Sequence, residues 1–157
     1  MNDLLVKAVK DRIKEGFEGP PTPVKESWFT NTEPNSGIFG ALEGVTAEEA
    51  SLSVHGTVLA AHVDHVRYHM WITNELLKDR KVEEMNWGES WKINVVDEPR
   101  WNQIQEELRN EYVTLLEAFD HIQWSEFLAN EISGSLAHSA YHLGAIRQML
   151  KVIKEMS

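Results

Sequence analysis

The chain has 157 residues, of which 42% are hydrophobic and 25% charged, as expected for one folded globular domain over residues 1–157. A formal net charge of −10 disfavours nucleic-acid binding, because polyphosphates are repelled. The absence of cysteine excludes disulfides, thiolate metal ligands and a thiol nucleophile of the chain's own. The apolar runs are far shorter than a bilayer span, and the first residues do not resemble a signal peptide. These two features predict a cytoplasmic protein that does not bind membranes.

The first part of the chain predicts one helix and a long connection. Residues 2–17 place apolar side chains at helical spacing, at Leu5, Val9, Ile13 and Phe17. Residues 18–44 are rich in Pro, Gly, Asn and Thr, so little regular structure is expected there. Trp28 and Phe29 are expected to anchor this connection to the core.

A second helical stretch is predicted from the segment TAEEA at 46–50, which has the form of a capping box. Thr46 would be the N-cap and Glu49 would reach back to it. The stretch is expected to break near Gly56 and to end near Arg80. Its inward face alternates steps of four and three residues and contains three histidines: Val58, His62, His65, His69, Ile72 and Leu76.

Two further helices complete the pattern. The third is predicted to start at Glu98 and Pro99, with an apolar stripe at Ile104, Leu108, Tyr112, Leu115 and Phe119. The fourth is predicted over residues 126–155, with a stripe at Ser135, His138, His142, Ala145, Met149 and Val152. No strand-like alternation of useful length occurs. The predicted fold is therefore all-α, a four-helix bundle with a long connection between helices 1 and 2.

Histidines on the inward faces of two helices suggest a metal site. His138 and His142 are four residues apart, so their side chains can converge on one ion. A third ligand would come from the facing helix, where His62 and His65 are the candidates. Three histidines leave a coordination position open, as in catalytic metal sites. The alternative is that these side chains are ordinary histidines with hydrogen-bond partners in the core.

Neighbouring residues favour the metal interpretation. Ser135 and Ala145 lie on the same stripe as the pair, where small side chains leave space for a ligand. His69 is about two turns from His62, which is too far along one helix for both to bind one ion. The sequence lacks the Glu-x-x-His tetrad of di-iron bundles, the His-Glu-x-x-His motif and any glycine-rich phosphate loop.

The motifs AHVDHVRYHMW at 61–71 and AHSAYHLGAIRQML at 137–150 resemble the DinB-like superfamily of four-helix metalloproteins. The resemblance covers residues 46–152 and implies a divalent metal bound by a histidine triad, which carries over to His62, His138 and His142. His65 permits the alternative register. The metal would be Zn, Ni, Fe or Mn, which the sequence does not distinguish.

Characterised members of that superfamily include S-transferases and isomerases that use bacillithiol, mycothiol or glutathione. The resemblance therefore implies a metal-dependent enzyme, such as a thiol S-transferase, with a small-molecule substrate, an external low-molecular-weight thiol and a homodimeric state. Trp28, Trp87 and Trp91 are candidates for the wall of the substrate pocket, or else pin loops onto the bundle. The alternative function is a metal- or ligand-binding module without catalysis.

Overall fold

A computed structural model describes residues 3–21, 26–28 and 30–156. Within these ranges the structure contains six α-helices, one short hairpin and one 3-10 helix. They are α1 (Asp3–Glu18), α2 (Ile38–Ala41), α3 (Ala47–Ala50), β1 (Ser53–Val54), β2 (Thr57–Val58), α4 (Leu59–Leu77), the 3-10 helix (Ser90–Lys92), α5 (Glu98–Ala118) and α6 (Glu126–Met156).

The long helices α1, α4, α5 and α6 form a bundle, which confirms the predicted all-α fold. Helix α4 packs against both α5 and α6, and α1 packs against α6. Helix α5 begins where the sequence predicted: the Asp97 side chain accepts a hydrogen bond from the Arg100 backbone at 2.9 Å, and Pro99 lies in the first turn. Every residue of the predicted α5 stripe is buried.

The segment before α4 contains more structure than the sequence predicted. The capping box of Thr46 and Glu49 is present, but the helix that it starts ends after one turn, at Ala50. A hairpin of two-residue strands follows, and its turn residues His55 and Gly56 have φ values of 51° and 86°. Two positive φ values are typical of a tight turn between paired strands. Such short strands give no detectable alternation in the sequence.

A buried carboxylate anchors the connection after α1, and the predicted tryptophan does not. Trp28 is 69% exposed, so its expected role in the core is wrong. Glu15 of α1 is 2% exposed and accepts hydrogen bonds from the Ser27 hydroxyl at 2.8 Å and the Trp28 backbone at 2.7 Å. The Thr30 hydroxyl donates a third bond at 3.0 Å. Phe29 lies outside the described residues.

The core sits between the long helices and extends under the early connection. Phe17 of α1, Phe39 of α2 and Tyr112 of α5 form an aromatic cluster with ring centroids 4.9–5.5 Å apart. Trp101 is fully buried and donates its indole N–H to the Val45 carbonyl at 2.8 Å. Within the described ranges, no helix is apolar over a length that would cross a membrane.

Candidate metal centre

Five histidines meet where α4 packs against α6. Helix α4 supplies His62, His65 and His69, which lie on one face because their spacing follows the helical repeat. Helix α6 supplies His138 and His142, one turn apart. His62 contacts His142 and His69 contacts His138, so the two helices run antiparallel. The predicted convergence of histidines from two helices is therefore present.

Three of these side chains form a group that could hold a metal ion. One ring nitrogen from each of His65, His138 and His142 lies within 4.8 Å of the other two. The ring centroids are 5.0 Å apart for His65 and His138, 5.1 Å for His65 and His142, and 4.4 Å for His138 and His142. His65 and His142 are buried and His138 is partly buried.

His62, which the family resemblance assigned as the third ligand, lies beside this group. Its Nδ1 is 3.1 Å from the Nδ1 of His142, and the two ring centroids are 5.3 Å apart. The contact is a hydrogen bond in which the donor depends on the tautomers. Both candidates from α4 thus contact His142, but the group of three nitrogens contains His65.

His69 also belongs to the cluster, although its distance from His62 along the helix predicted that it would not share the site. Its ring stacks on that of His138, with centroids 3.9 Å apart and planes 18° from parallel. Spacing along α4 alone placed His69 too far from His62 to share an ion. The antiparallel crossing of α6 brings His138 to His69, and that contact depends on tertiary packing.

Two tryptophans of the connection between α4 and α5 cover the histidines. The ring of Trp91 lies 4.6 Å from His65 and 5.0 Å from His62, and Trp87 lies 5.5 Å from His69, each between centroids. They are 41% and 39% exposed, so each has one face on the histidines and another towards solvent. A hydrogen bond of 2.8 Å from the Asn86 backbone to the Tyr68 hydroxyl holds this connection on α4. Trp28, the third candidate for the wall, packs instead on Arg12 of α1.

Tyr141 belongs to the second histidine motif, and 73% of the residue is accessible to solvent. Its ring meets the ring of His142 edge-on, with centroids 5.1 Å apart. Tyr141 therefore lies at the solvent-facing rim of the histidine cluster.

Burial keeps the clustered imidazoles neutral. Loss of hydration, reinforced by neighbouring histidines, lowers the pKa of His138 to about 3 and that of His142 to about 4. The same cause lowers the pKa of His69 to about 4. Burial also lowers the pKa of His62 and His65, although the charge of Asp64 opposes the effect at His65. A neutral imidazole has the lone pair that a metal ion requires.

The donor atoms of the three-histidine group suit a divalent metal ion. The Nδ1 atoms of His65 and His138 are buried and have no hydrogen-bond partner among the described residues. Nitrogens about 2.0–2.1 Å from one tetrahedral ion are about 3.3 Å apart. The three ring nitrogens here lie within 4.8 Å of one another, so they are already close to that arrangement. Three imidazoles without a carboxylate suit zinc, nickel, copper or iron better than magnesium or calcium.

Comparison of the chain with models of protein families, with curated proteins and with solved structures gives no match. The interpretation of the centre therefore depends on its own residues and geometry.

Proposed function

We propose that this protein is a metal-dependent enzyme that acts on a low-molecular-weight thiol. Its divalent metal ion would be bound by His65, His138 and His142. One observation carries the metal part of the proposal: three ring nitrogens within 4.8 Å of one another, on side chains that are wholly or partly buried. Leaving a buried polar atom without a partner costs about 1–3 kcal/mol. A shared ion would remove that cost at His65 and His138, whose buried Nδ1 atoms have no hydrogen-bond partner among the described residues.

The chemistry follows from the charge of the ligands. Three neutral imidazoles leave the full charge of a divalent ion uncompensated, which favours an anionic additional ligand. When bound, the ion would lower the pKa of a thiol and hold it as the thiolate. The chain has no cysteine, so the thiol must come from outside.

The surrounding residues would shape the site for a small molecule. Trp87 and Trp91 form an aromatic wall above the histidines, and the exposed Tyr141 stands at the rim. Aromatic side chains of this kind exclude water and pack on apolar parts of a substrate. The resemblance of the two histidine motifs to the DinB-like superfamily supports the thiol S-transferase class and a homodimer.

A non-catalytic metal- or ligand-binding module is the second candidate, and one observation favours it. Among the described residues, the group of possible ligands contains histidines alone, with no carboxylate that could act as a general base. The nearby Asp64 is instead paired with the guanidinium of Arg67 at 2.8 Å. A binding module would show metal affinity without turnover.

The proposal is tested by a turnover screen. Protein loaded with Zn²⁺, Ni²⁺, Fe²⁺ or Mn²⁺ is mixed with bacillithiol, mycothiol or glutathione and a set of electrophiles, and loss of free thiol is followed. We expect turnover with at least one thiol, and its loss in His138→Ala. The exposed His121 provides the matched control, because His121→Ala removes a histidine outside the cluster. Metal binding without turnover for any thiol would favour the binding module.

A further inference from the structure

The contact between His62 and His142 assigns a distinct role to His62. Their Nδ1 atoms are 3.1 Å apart, which is a hydrogen-bond distance. In neutral imidazoles only one of the two nitrogens can carry the shared proton. One ring of the pair is therefore the donor and the other is the acceptor. The choice of donor decides whether the Nε2 of His142 carries a proton or has a free lone pair.

Only one of the two arrangements leaves His142 able to bind an ion through its remaining nitrogen. If His142 donates from Nδ1, its Nε2 has a free lone pair. If His62 donates, the proton of His142 lies on Nε2 and blocks that nitrogen. Histidines that bind metals generally donate their second ring N–H to an acceptor, which fixes the tautomer and the orientation of the ring. His62 occupies the position of that acceptor.

We propose that His62 is a positioning residue that accepts the Nδ1 proton of His142 and so keeps the Nε2 of His142 available to the metal ion. This inference rests on the proposed function, and it gives His62 a role other than that of third ligand. The group of three converging nitrogens draws on His65 from α4.

The surroundings of His62 support an orienting role. Trp91 packs edge-on against the His62 ring, with centroids 5.0 Å apart and planes at 83°. Trp91 thus packs against the same ring whose Nδ1 lies 3.1 Å from the Nδ1 of His142. By contrast, the Nδ1 atoms of His65 and His138 are buried without a partner among the described residues. His142 is thus the member of the group whose Nδ1 already has a hydrogen-bond partner.

Two substitutions of His62 distinguish a role as hydrogen-bond acceptor from a role that requires the imidazole ring. In His62→Asn the amide oxygen takes the place of Nδ1 and can still accept the proton, whereas His62→Leu removes the acceptor. Zn²⁺ affinity is measured by competition with a chromophoric chelator. We expect His62→Asn to stay within about threefold of the parent and His62→Leu to lose about tenfold to a hundredfold, the range for hydrogen-bond partners of metal ligands. His121→Leu is the control and should bind as the parent does.

Each other outcome overturns the inference in a recognisable way. If His62→Asn and His62→Leu both lose as much affinity as His142→Ala, His62 is a ligand. If both bind like the parent, the contact is incidental. If the parent binds no Zn²⁺, the proposed function itself fails. Variants are compared with the parent by circular dichroism, so that a folding defect is recognised.

A measurement on the unmodified protein does not depend on the variants. Long-range ¹H–¹⁵N NMR of the Zn²⁺-loaded parent reports which nitrogen of each imidazole carries the proton. We expect His142 protonated at Nδ1 and His62 protonated at Nε2. The opposite pair of tautomers would contradict the proposal even if the affinities behaved as expected.

Discussion

The histidines between α4 and α6 are uncharged at neutral pH because burial in the bundle removes the water that would hydrate a charged imidazole. Burial is the largest cause of the lowered pKa at each of the five, and their mutual repulsion adds to it at most of them. Folding without a bound ion therefore keeps several imidazoles neutral at a pH where an unfolded chain would protonate them. This difference makes the stability of the metal-free protein depend on pH.

We predict that the metal-free protein loses stability as the pH falls from about 6.5 to about 5, by at least about 1 kcal/mol per pH unit. The pKa is about 3 for His138 and about 4 for His69 and His142, against 6.5 when unfolded. In this window the unfolded state binds more protons, so the free energy of unfolding decreases with acidity. Urea unfolding at several pH values measures it.

The matched variants for this pH series are His69→Leu and His121→Leu. Replacing His69 removes one of the shifted groups and should make the dependence shallower. His121 is exposed, and its replacement should leave the dependence unchanged. A free energy of unfolding that is flat between pH 5 and 6.5 would mean that these histidines are not held neutral by burial.

Sequence spacing predicted part of the cluster at this scale. His138 and His142 lie one turn apart on one helix, and that relation depends only on the helical repeat. The contacts of His62, His65 and His69 with α6 depend on how two helices that are distant in the sequence cross, which spacing does not determine. The stacking of His69 on His138 was therefore missed, and the choice between His62 and His65 stays a prediction.

At the scale of the elements, the four long helices followed from their apolar stripes and end signals. The stripe of α1 was only partly right, because Leu5 is 63% exposed while Ile13 and Phe17 are buried. The connection after α1 was harder to predict, because its anchor is a carboxylate. Nothing in the sequence around Glu15 distinguishes a buried acceptor from an ordinary charged side chain of a helix surface.

We predict that Glu15→Gln lowers the free energy of unfolding by about 1.5–3 kcal/mol, the range for hydrogen bonds to charged groups. The carboxylate accepts bonds from Ser27, Trp28 and Thr30 and lies 3.6 Å from the guanidinium of Arg12. An amide has one acceptor oxygen and no charge, so these interactions weaken. Urea unfolding of the parent and variant measures the difference.

Glu106→Gln is the control for this substitution, because Glu106 is exposed on α5. A surface change of this kind should alter the free energy of unfolding by no more than about 0.5 kcal/mol. If Glu15→Gln were as mild as Glu106→Gln, the buried carboxylate would not be the anchor of the connection.

At the scale of the whole molecule, the long helices position the histidines, and the connection between α4 and α5 covers them. Helices α4 and α6 supply the histidines, and α5 packs against α4. Trp87 and Trp91 come from the connection between α4 and α5, where the sequence contains no long helical pattern. The overall fold was predictable from periodicity, whereas the placement of these rings over the histidines depends on tertiary contacts.

The central claim is that the histidine group binds a metal ion, and elemental analysis tests it most directly. Protein is produced without a nickel column, reloaded with Zn²⁺, freed of excess metal and analysed. We predict about one ion per chain, and a loss of most of it in the double variant His138→Ala, His142→Ala. A parent protein that holds less than about a tenth of an ion per chain after reloading would contradict the account.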